Sequence, residues 1–176
     1  MTYNYARAGA TRQAMRRVCA TAPASWAFAR FLHRIDRPLF RLTDGRHTFA
    51  SLVTGLPVVM LTTTGARSGA RRTLPLLGLP TSEGLAVIAS NWGQDRHPAW
   101  HYNLRANPHA TVVVDNETRE VTAVLATGDR RDRIWEQGLK IYPGWAQYAR
   151  RAPNRDMPVY VLEPAIQPER HGTEHR

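Results

Sequence analysis

Residues 57–91 read PVVMLTTTGARSGARRTLPLLGLPTSEGLAVIASN, and the spacing of their apolar runs decides the fold class. Three short β-prone runs, at residues 57–64, 71–78 and 84–91, are separated by the turn signals Gly65-Ala66-Arg67-Ser68-Gly69 and Thr81-Ser82-Glu83-Gly84. They predict three strands joined as a meander. Residues 97–106 favour helix, with Pro98 in the first turn and Asn107-Pro108 as the stop. Residues 111–114 and 119–125 flank Asp115-Asn116-Glu117, which suits a hairpin. Thr127 or Asp129 then caps a helix whose Ile134, Trp135, Leu139 and Tyr142 share a face, and Pro143-Gly144 ends it. Residues 157–162 form the last strand. About six strands with two or three helices, in this order, indicate an α+β fold that is mainly antiparallel β, a small barrel rather than a doubly wound sheet.

The segment before this body has a different texture. Residues 1–23 show no sustained period, whereas Ser25 can cap a helix in which Phe28, Phe31, Leu32 and Ile35 recur at helical spacing. Arg30, Arg34 and Arg37 lie elsewhere on its surface, and Pro38 ends it. The expected division is a basic leader and amphipathic helix at residues 1–45, a barrel domain at 46–164 and a flexible tail at 165–176.

The chain has 176 residues, 43% hydrophobic and 22% charged, enough for one sizeable core and incompatible with a disordered or collagen-like class. Its single cysteine, Cys19, excludes an internal disulfide and any cysteine-rich zinc site. Arg16 and Arg17 precede a short apolar stretch at residues 18–24, which lies at the lower limit for a signal sequence and contains Pro23. The cytoplasm is the expected location. No uninterrupted apolar run reaches the ~18 residues of a membrane span. The net charge is +10, and residues 1–46 carry nine arginines against Asp36 and Asp44. Such a balance suits an anionic partner: a nucleic acid, a lipid surface or a phosphorylated cofactor.

Three constellations can carry chemistry. In Thr62-Thr63-Thr64-Gly65-Ala66-Arg67-Ser68-Gly69-Ala70-Arg71-Arg72, a strand enters a turn with two glycines whose backbone N–H groups can converge, while Arg67, Ser68 and Arg72 add donors for phosphate oxygens. It is not a Walker loop or a dinucleotide fingerprint, and a merely solvated hairpin turn is the bland alternative. The second joins Ala89-Ser90-Asn91-Trp92-Gly93 to residues 97–108, HPAWHYNLRANP, where flat and polar side chains together can hold a heteroaromatic ring. Trp100 and Leu104, four apart, can equally face the core. His97 and His101 share a zinc-helix spacing without the intervening glutamate or a third ligand, so no metal is expected. The third, Tyr142-Pro143-Gly144-Trp145-Ala146-Gln147-Tyr148, reads as an irregular aromatic segment that can lid a pocket, supply a phenolic proton or fill a core.

The ordered blocks LTTTGARSGARRTLPLLGLP, VIASNWGQDRHPAWHYNLRANP and IYPGWAQYARRAPNRDMPVYVLEP resemble the deazaflavin-dependent nitroreductase family, over residues 57–164. The resemblance implies an FMN-binding-like split β-barrel with flanking helices, and a reductase that uses coenzyme F-420, an 8-hydroxy-5-deazaflavin, as hydride donor. Carried over, Ala66, Arg67, Ser68 and Arg72 would hold the coenzyme's phosphate and acidic tail. Thr73, Leu74, Pro75, Leu76 and Leu77, with Ile88, Ala89, Ser90 and Asn91, would line the deazaflavin groove. Ala99, Trp100, His101 and Asn103 would close its other side, and Trp145 would border the pocket.

Ser90, Tyr142 and Tyr148 are the expected polar side chains near the acceptor. Trp145 stands where the family's best-studied branch has a tyrosine involved in substrate reduction, and Leu77 stands for another pocket tyrosine; both departures count against nitro-prodrug reduction. A deazaflavin favours two-electron hydride transfer, so the acceptor should be a flat conjugated electrophile such as a quinone, an enone or a nitroaromatic. The expected associations are such a small molecule, a homodimer and reversible contact with the anionic inner face of a membrane, which would give access to a lipophilic quinone. Nucleic acid is not an expected partner. A basic nucleic-acid-binding barrel and an FMN-binding split-barrel oxidoreductase are the alternatives, separable by oligonucleotide binding and by the colour of the isolated protein.

Overall fold

The computed structural model describes residues 58–114 and 117–165. The basic helix expected at residues 25–38, the leader, the tail beyond residue 165 and the turn residues Asp115 and Asn116 lie outside the described residues.

β1 (Val58–Thr64) alternates between buried and half-buried positions, with Val59, Leu61 and Thr63 inward, as a β-branched run of period two requires. It pairs antiparallel with β2 (Arg71–Leu77), Thr64 facing Arg71 and Val58 facing Leu77. Gly78 alone separates β2 from β3 (Leu79–Thr81), which turns through Ser82 and Glu83 into β4 (Gly84–Ile88). A 3₁₀ turn at Asn91–Gly93 and helix α1 (Ala99–Ala106) follow. β5 (His109–Val114) and β6 (Glu117–Ala126) form the expected hairpin pair, with Val114 opposite Glu117. Helices α2 (Gly128–Ile141) and α3 (Gly144–Arg151) lead to β7 (Val159–Pro164).

The seven strands of the described residues form one antiparallel sheet in the order β2-β1-β5-β6-β7-β4-β3. The expected meander is therefore corrected: β4 pairs with β7, Ile88 opposite Val159, and never with β2. The two edge strands are consecutive in the chain, one residue apart at Gly78. A sheet whose opposite edges are tied that closely must curl until they meet, which makes a half-closed, split barrel. Two further corrections concern element type. β3 was not expected, and residues 144–151 are helical rather than irregular.

β4 and β7 bury both faces. Ala86, Ile88, Val159 and Val161 join Ile134, Tyr142, Trp145 and Tyr148 of α2 and α3 and the segment linking them in one core. The alternate residues Val87, Ala89, Tyr160 and Leu162 join Val59, Leu61, Val112, Trp100 and Leu104 in a second. α1 thus packs on one face of the sheet and the α2–α3 pair on the other. Gly138 allows that pair to close: a Cβ there would sit 3.0 Å from Trp145 Cζ3.

Candidate functional site

The β1–β2 loop, residues 65–70, closes on itself through Gly65 N–H to Ala70 O at 2.9 Å and Gly69 N–H to Gly65 O at 2.8 Å. Gly69 adopts φ +66°, where a side chain would be strained. Asn103 of α1 tethers the loop from below. Its Oδ1 accepts from Ala66 N–H at 3.0 Å and its Nδ2 donates to Thr63 Oγ1 at 3.0 Å. Asn103 and Thr63 are buried, so one carboxamide fixes both the strand end and the loop above it. Arg67 and Ser68 remain exposed at the tip.

The opposite wall is the turn after β4. Asn91 and Trp92 have φ of 43° and 57°, and Gly93 follows at 74°, a left-handed run in which each non-glycine residue costs roughly 1–2 kcal/mol. The turn is held from several sides. Asn91 Nδ2 donates to Arg96 O at 2.8 Å, and a Cβ on Gly93 would meet Tyr148 Cα and O at 2.9 Å. Arg155 donates to Ala89 O at 2.9 Å, Ser90 O at 2.6 Å and Gln94 O at 2.9 Å.

Between these walls lies a groove of about 990 Å³, large enough for a coenzyme-sized ligand. Among its described lining residues, Arg67, Arg72 and Arg96 are cationic and none is a carboxylate. The backbone N–H groups of Gly65, Ala66, Gly69 and Ala70 are used inside the protein, so the groove's attraction for an anion comes from these arginine side chains. Leu74, Ala99 and Trp100 give the groove an apolar side.

Of the residues expected from sequence, Ala66, Arg67, Ser68, Arg72, Thr73, Leu74, Asn91, Ala99, Trp100 and Asn103 line this groove together. Pro75, Leu76 and Leu77 continue along β2 beyond it, with Leu77 packed on the first core and Leu76 on the second. Ile88 and Ala89 are core residues, and Ser90 stands beside the groove with its carbonyl taken by Arg155. His101 is 5% exposed, and its Nδ1 lies 2.9 Å from the Tyr160 hydroxyl. Burial first, then His97, Arg105 and Arg155, push its imidazole down to about 4, so His101 is neutral at physiological pH. Burial likewise raises the Tyr160 phenol.

The aromatic segment is placed differently from expectation. Tyr142, Trp145 and Tyr148 are each 2–3% exposed in the first core, and the two phenol hydroxyls bond each other at 2.9 Å. Neither Tyr142 nor Tyr148, the phenols expected near an acceptor, lines the groove, and nor does Trp145; their place is that of core residues. Conversely, Thr63, Gln94, Arg96, His97 and Tyr102 line it without having been singled out as site residues. The His97 and His101 rings stack at 4.5 Å, and Tyr102 stands edge-on to His101 at 5.2 Å.

A family profile described as F420H(2)-dependent quinone reductase matches residues 32–164. An F420H(2)-dependent quinone reductase of Mycobacterium tuberculosis is 33% identical over 138 residues, covering 74% of this chain and 89% of its own length. A solved F420-H2 dependent reductase, FDR-A, is 34% identical with a TM-score of 0.56, covering 61% of this chain and 94% of that one. A second solved structure, described as a domain-swapped dimer, is 31% identical with a TM-score of 0.58 and covers 81% of this chain and all of its own.

Proposed function

The chain belongs to the F420H(2)-dependent quinone reductase family, an oxidoreductase family, and from that premise we propose that its groove binds reduced coenzyme F-420 and delivers hydride to a quinone. The observation that carries this reading is the groove itself, with three arginines, no carboxylate among its described lining residues and a loop bearing Arg67 and Ser68 that is tied down by Asn103. These residues fit an acidic, flat coenzyme. Arg67, Ser68 and Arg72 would hold its phosphate and acidic tail through charge-assisted bonds, while Thr73, Leu74, Asn91, Ala99 and Trp100 would flank the ring.

When bound, the deazaflavin supplies a two-electron hydride and no easy one-electron path. The protein then has to orient and shield. Leu74 and Trp100 exclude water along one side, and the tethered loop holds the charged end so that the ring's position is set by both. With the Tyr142 and Tyr148 hydroxyls on each other, solvent at the open groove supplies the proton that a reduced quinone needs. Ser90, next in the chain to the groove-lining Asn91, is assigned on this reading to the acceptor's oxygen.

Enones and nitroaromatics are chemically competent acceptors too, and nitroimidazoles are the poorest of them on this reading. Reversible contact with an anionic membrane through Arg30, Arg34 and Arg37 would bring lipophilic quinones within reach. Likeness to a domain-swapped dimer supports a homodimer of this chain.

Anaerobic steady-state assays with reduced F-420 test the proposal. The wild type should reduce a benzoquinone or menaquinone analogue faster than a nitroimidazole, and Arg72→Ala should raise the KM for the coenzyme by one to two orders of magnitude. Absence of quinone reduction, or an unchanged KM in Arg72→Ala, contradicts it.

A further inference from the structure

Arg155 lies between α3 and β7 and is half-buried. None of the ion pairs among the described residues includes it. Its guanidinium instead donates to neutral acceptors, while Asp95 acts on it through charge without a direct ion pair. Nε donates to Gln94 O at 2.9 Å and Nη2 to Ser90 O at 2.6 Å, while Nη1 reaches Ala89 O at 2.9 Å and His97 Nδ1 at 3.2 Å. Arginine offers donors only, so the last contact requires an unprotonated Nδ1, and a neutral His97 then carries its proton on Nε2.

Both ends of this clamp bear on the groove. The Ser90 and Gln94 carbonyls bracket Asn91–Gly93, the left-handed run, a conformation that persists only where its surroundings over-determine it. His97 and Asn91 are groove-lining residues on the same wall. Lysine could not replace the clamp, because three protons on one nitrogen do not span acceptors that a planar fork reaches from three.

We propose, resting on the reading of the groove as the coenzyme site, that Arg155 is a positioning residue for that site: it holds the left-handed turn that carries Asn91 and fixes His97 as a neutral, Nε2-protonated imidazole on the groove wall. The result is a hydrogen-bond donor without charge beside the arginines, suited to a carbonyl or enolic oxygen of the bound ring. The groups facing His97 are Arg155 and Asp156 before β7, Arg105 and the stacked His101 on α1, and Tyr102 edge-on at 6.1 Å. Burial and then Arg155 hold its imidazole below the ordinary histidine value, with Asp156 opposing.

The test uses the full chain as wild type, Arg155→Lys, Arg155→Ala, His97→Leu and the Arg155→Lys/His97→Leu double variant. Nitrogen-15 NMR of the His97 ring without ligand reads the tautomer, and fluorescence titration with oxidised F-420 reads affinity. The expected result is an Nε2–H tautomer in the wild type and mixed tautomers in Arg155→Lys. That variant should bind F-420 at least tenfold more weakly, and the loss in the double variant should fall short of the sum of the two single losses. Arg155→Lys keeps the charge, so the question stays open to measurement even where Arg155→Ala does not fold. Retention of the Nε2–H tautomer and wild-type affinity in Arg155→Lys overturns the proposal, as do fully additive losses in the double variant. Wild-type protein that shows the tautomer but binds no F-420 overturns the coenzyme reading of the groove instead.

Discussion

Replacing Asn103 separates the two duties of the carboxamide beneath the anion loop. Asn103→Ala removes two hydrogen bonds, to Ala66 N–H and to Thr63 Oγ1, each worth about 1 kcal/mol net. Ala66 is exposed, so water can take over its N–H, but the Thr63 side chain is 1% exposed and gains no such replacement. Adding a buried hydroxyl's lost partner gives a destabilisation of roughly 2–4 kcal/mol. Asn103→Asp behaves differently. The carboxylate still accepts from Ala66 N–H, and the Thr63 hydroxyl can rotate to donate to it, so most of the stability is kept. It places a negative charge under the loop that Arg67 and Arg72 make positive, and coenzyme affinity should fall roughly tenfold or more, an effect that weakens in high salt. Urea unfolding and fluorescence titration with F-420 measure the two quantities separately. An Asn103→Asp variant that binds F-420 as tightly as the wild type, or an Asn103→Ala variant with an unchanged unfolding midpoint, would refute the assignment.

Three further outcomes follow from the geometry. Gly93→Ala combines a positive φ of 74° with a Cβ 2.9 Å from Tyr148 backbone atoms, and should cost about 2–5 kcal/mol in chemical unfolding. Tyr142→Phe and Tyr148→Phe each lose the same 2.9 Å contact, so their destabilisations, about 1 kcal/mol apiece, should sum to more than that of the double variant. His101, depressed to about 4 from an ordinary 6.5, binds fewer protons folded than unfolded between those values. Its contribution is therefore present above pH 6.5 and lost as the pH falls toward 4, by roughly 3 kcal/mol, with His97 acting in the same direction. Urea midpoints at pH 7 and pH 4.5 should show the drop, and His101→Gln, which can still accept from Tyr160, should flatten it.

What the sequence disclosed was local, and what it withheld was tertiary. Period-two burial in β1, the loop at Gly65–Gly69 and the stop at Pro143-Gly144 are all written in neighbouring residues, and the structure has each of them. Strand partners are not written locally. β4 looks ready to follow β2 in a meander, but its apolar residues Ala86–Ile88 bury both faces, which only a central place beside β7 provides. β3 is three residues containing Pro80, too short for a periodic signal. Pro143-Gly144 also opens α3, and reading it only as a terminator hid that helix and left Tyr148 free for a pocket that it does not line. The loop arginines were legible because their spacing and the glycines stand together. Arg155 was one arginine among many, and its role comes from acceptors about sixty residues away that folding brings to it.

The central claim is that the arginine-lined groove is built for a deazaflavin coenzyme whose anionic groups exceed a single phosphate. The most direct measurement is a pair of fluorescence titrations of the full chain, with F-420 and with FMN, at low and at moderate salt. Tighter binding of F-420 than of FMN is predicted, with an advantage that shrinks as salt rises and as Arg72 is replaced by alanine. Equal affinity for the two, unaffected by salt or by Arg72→Ala, would contradict the account.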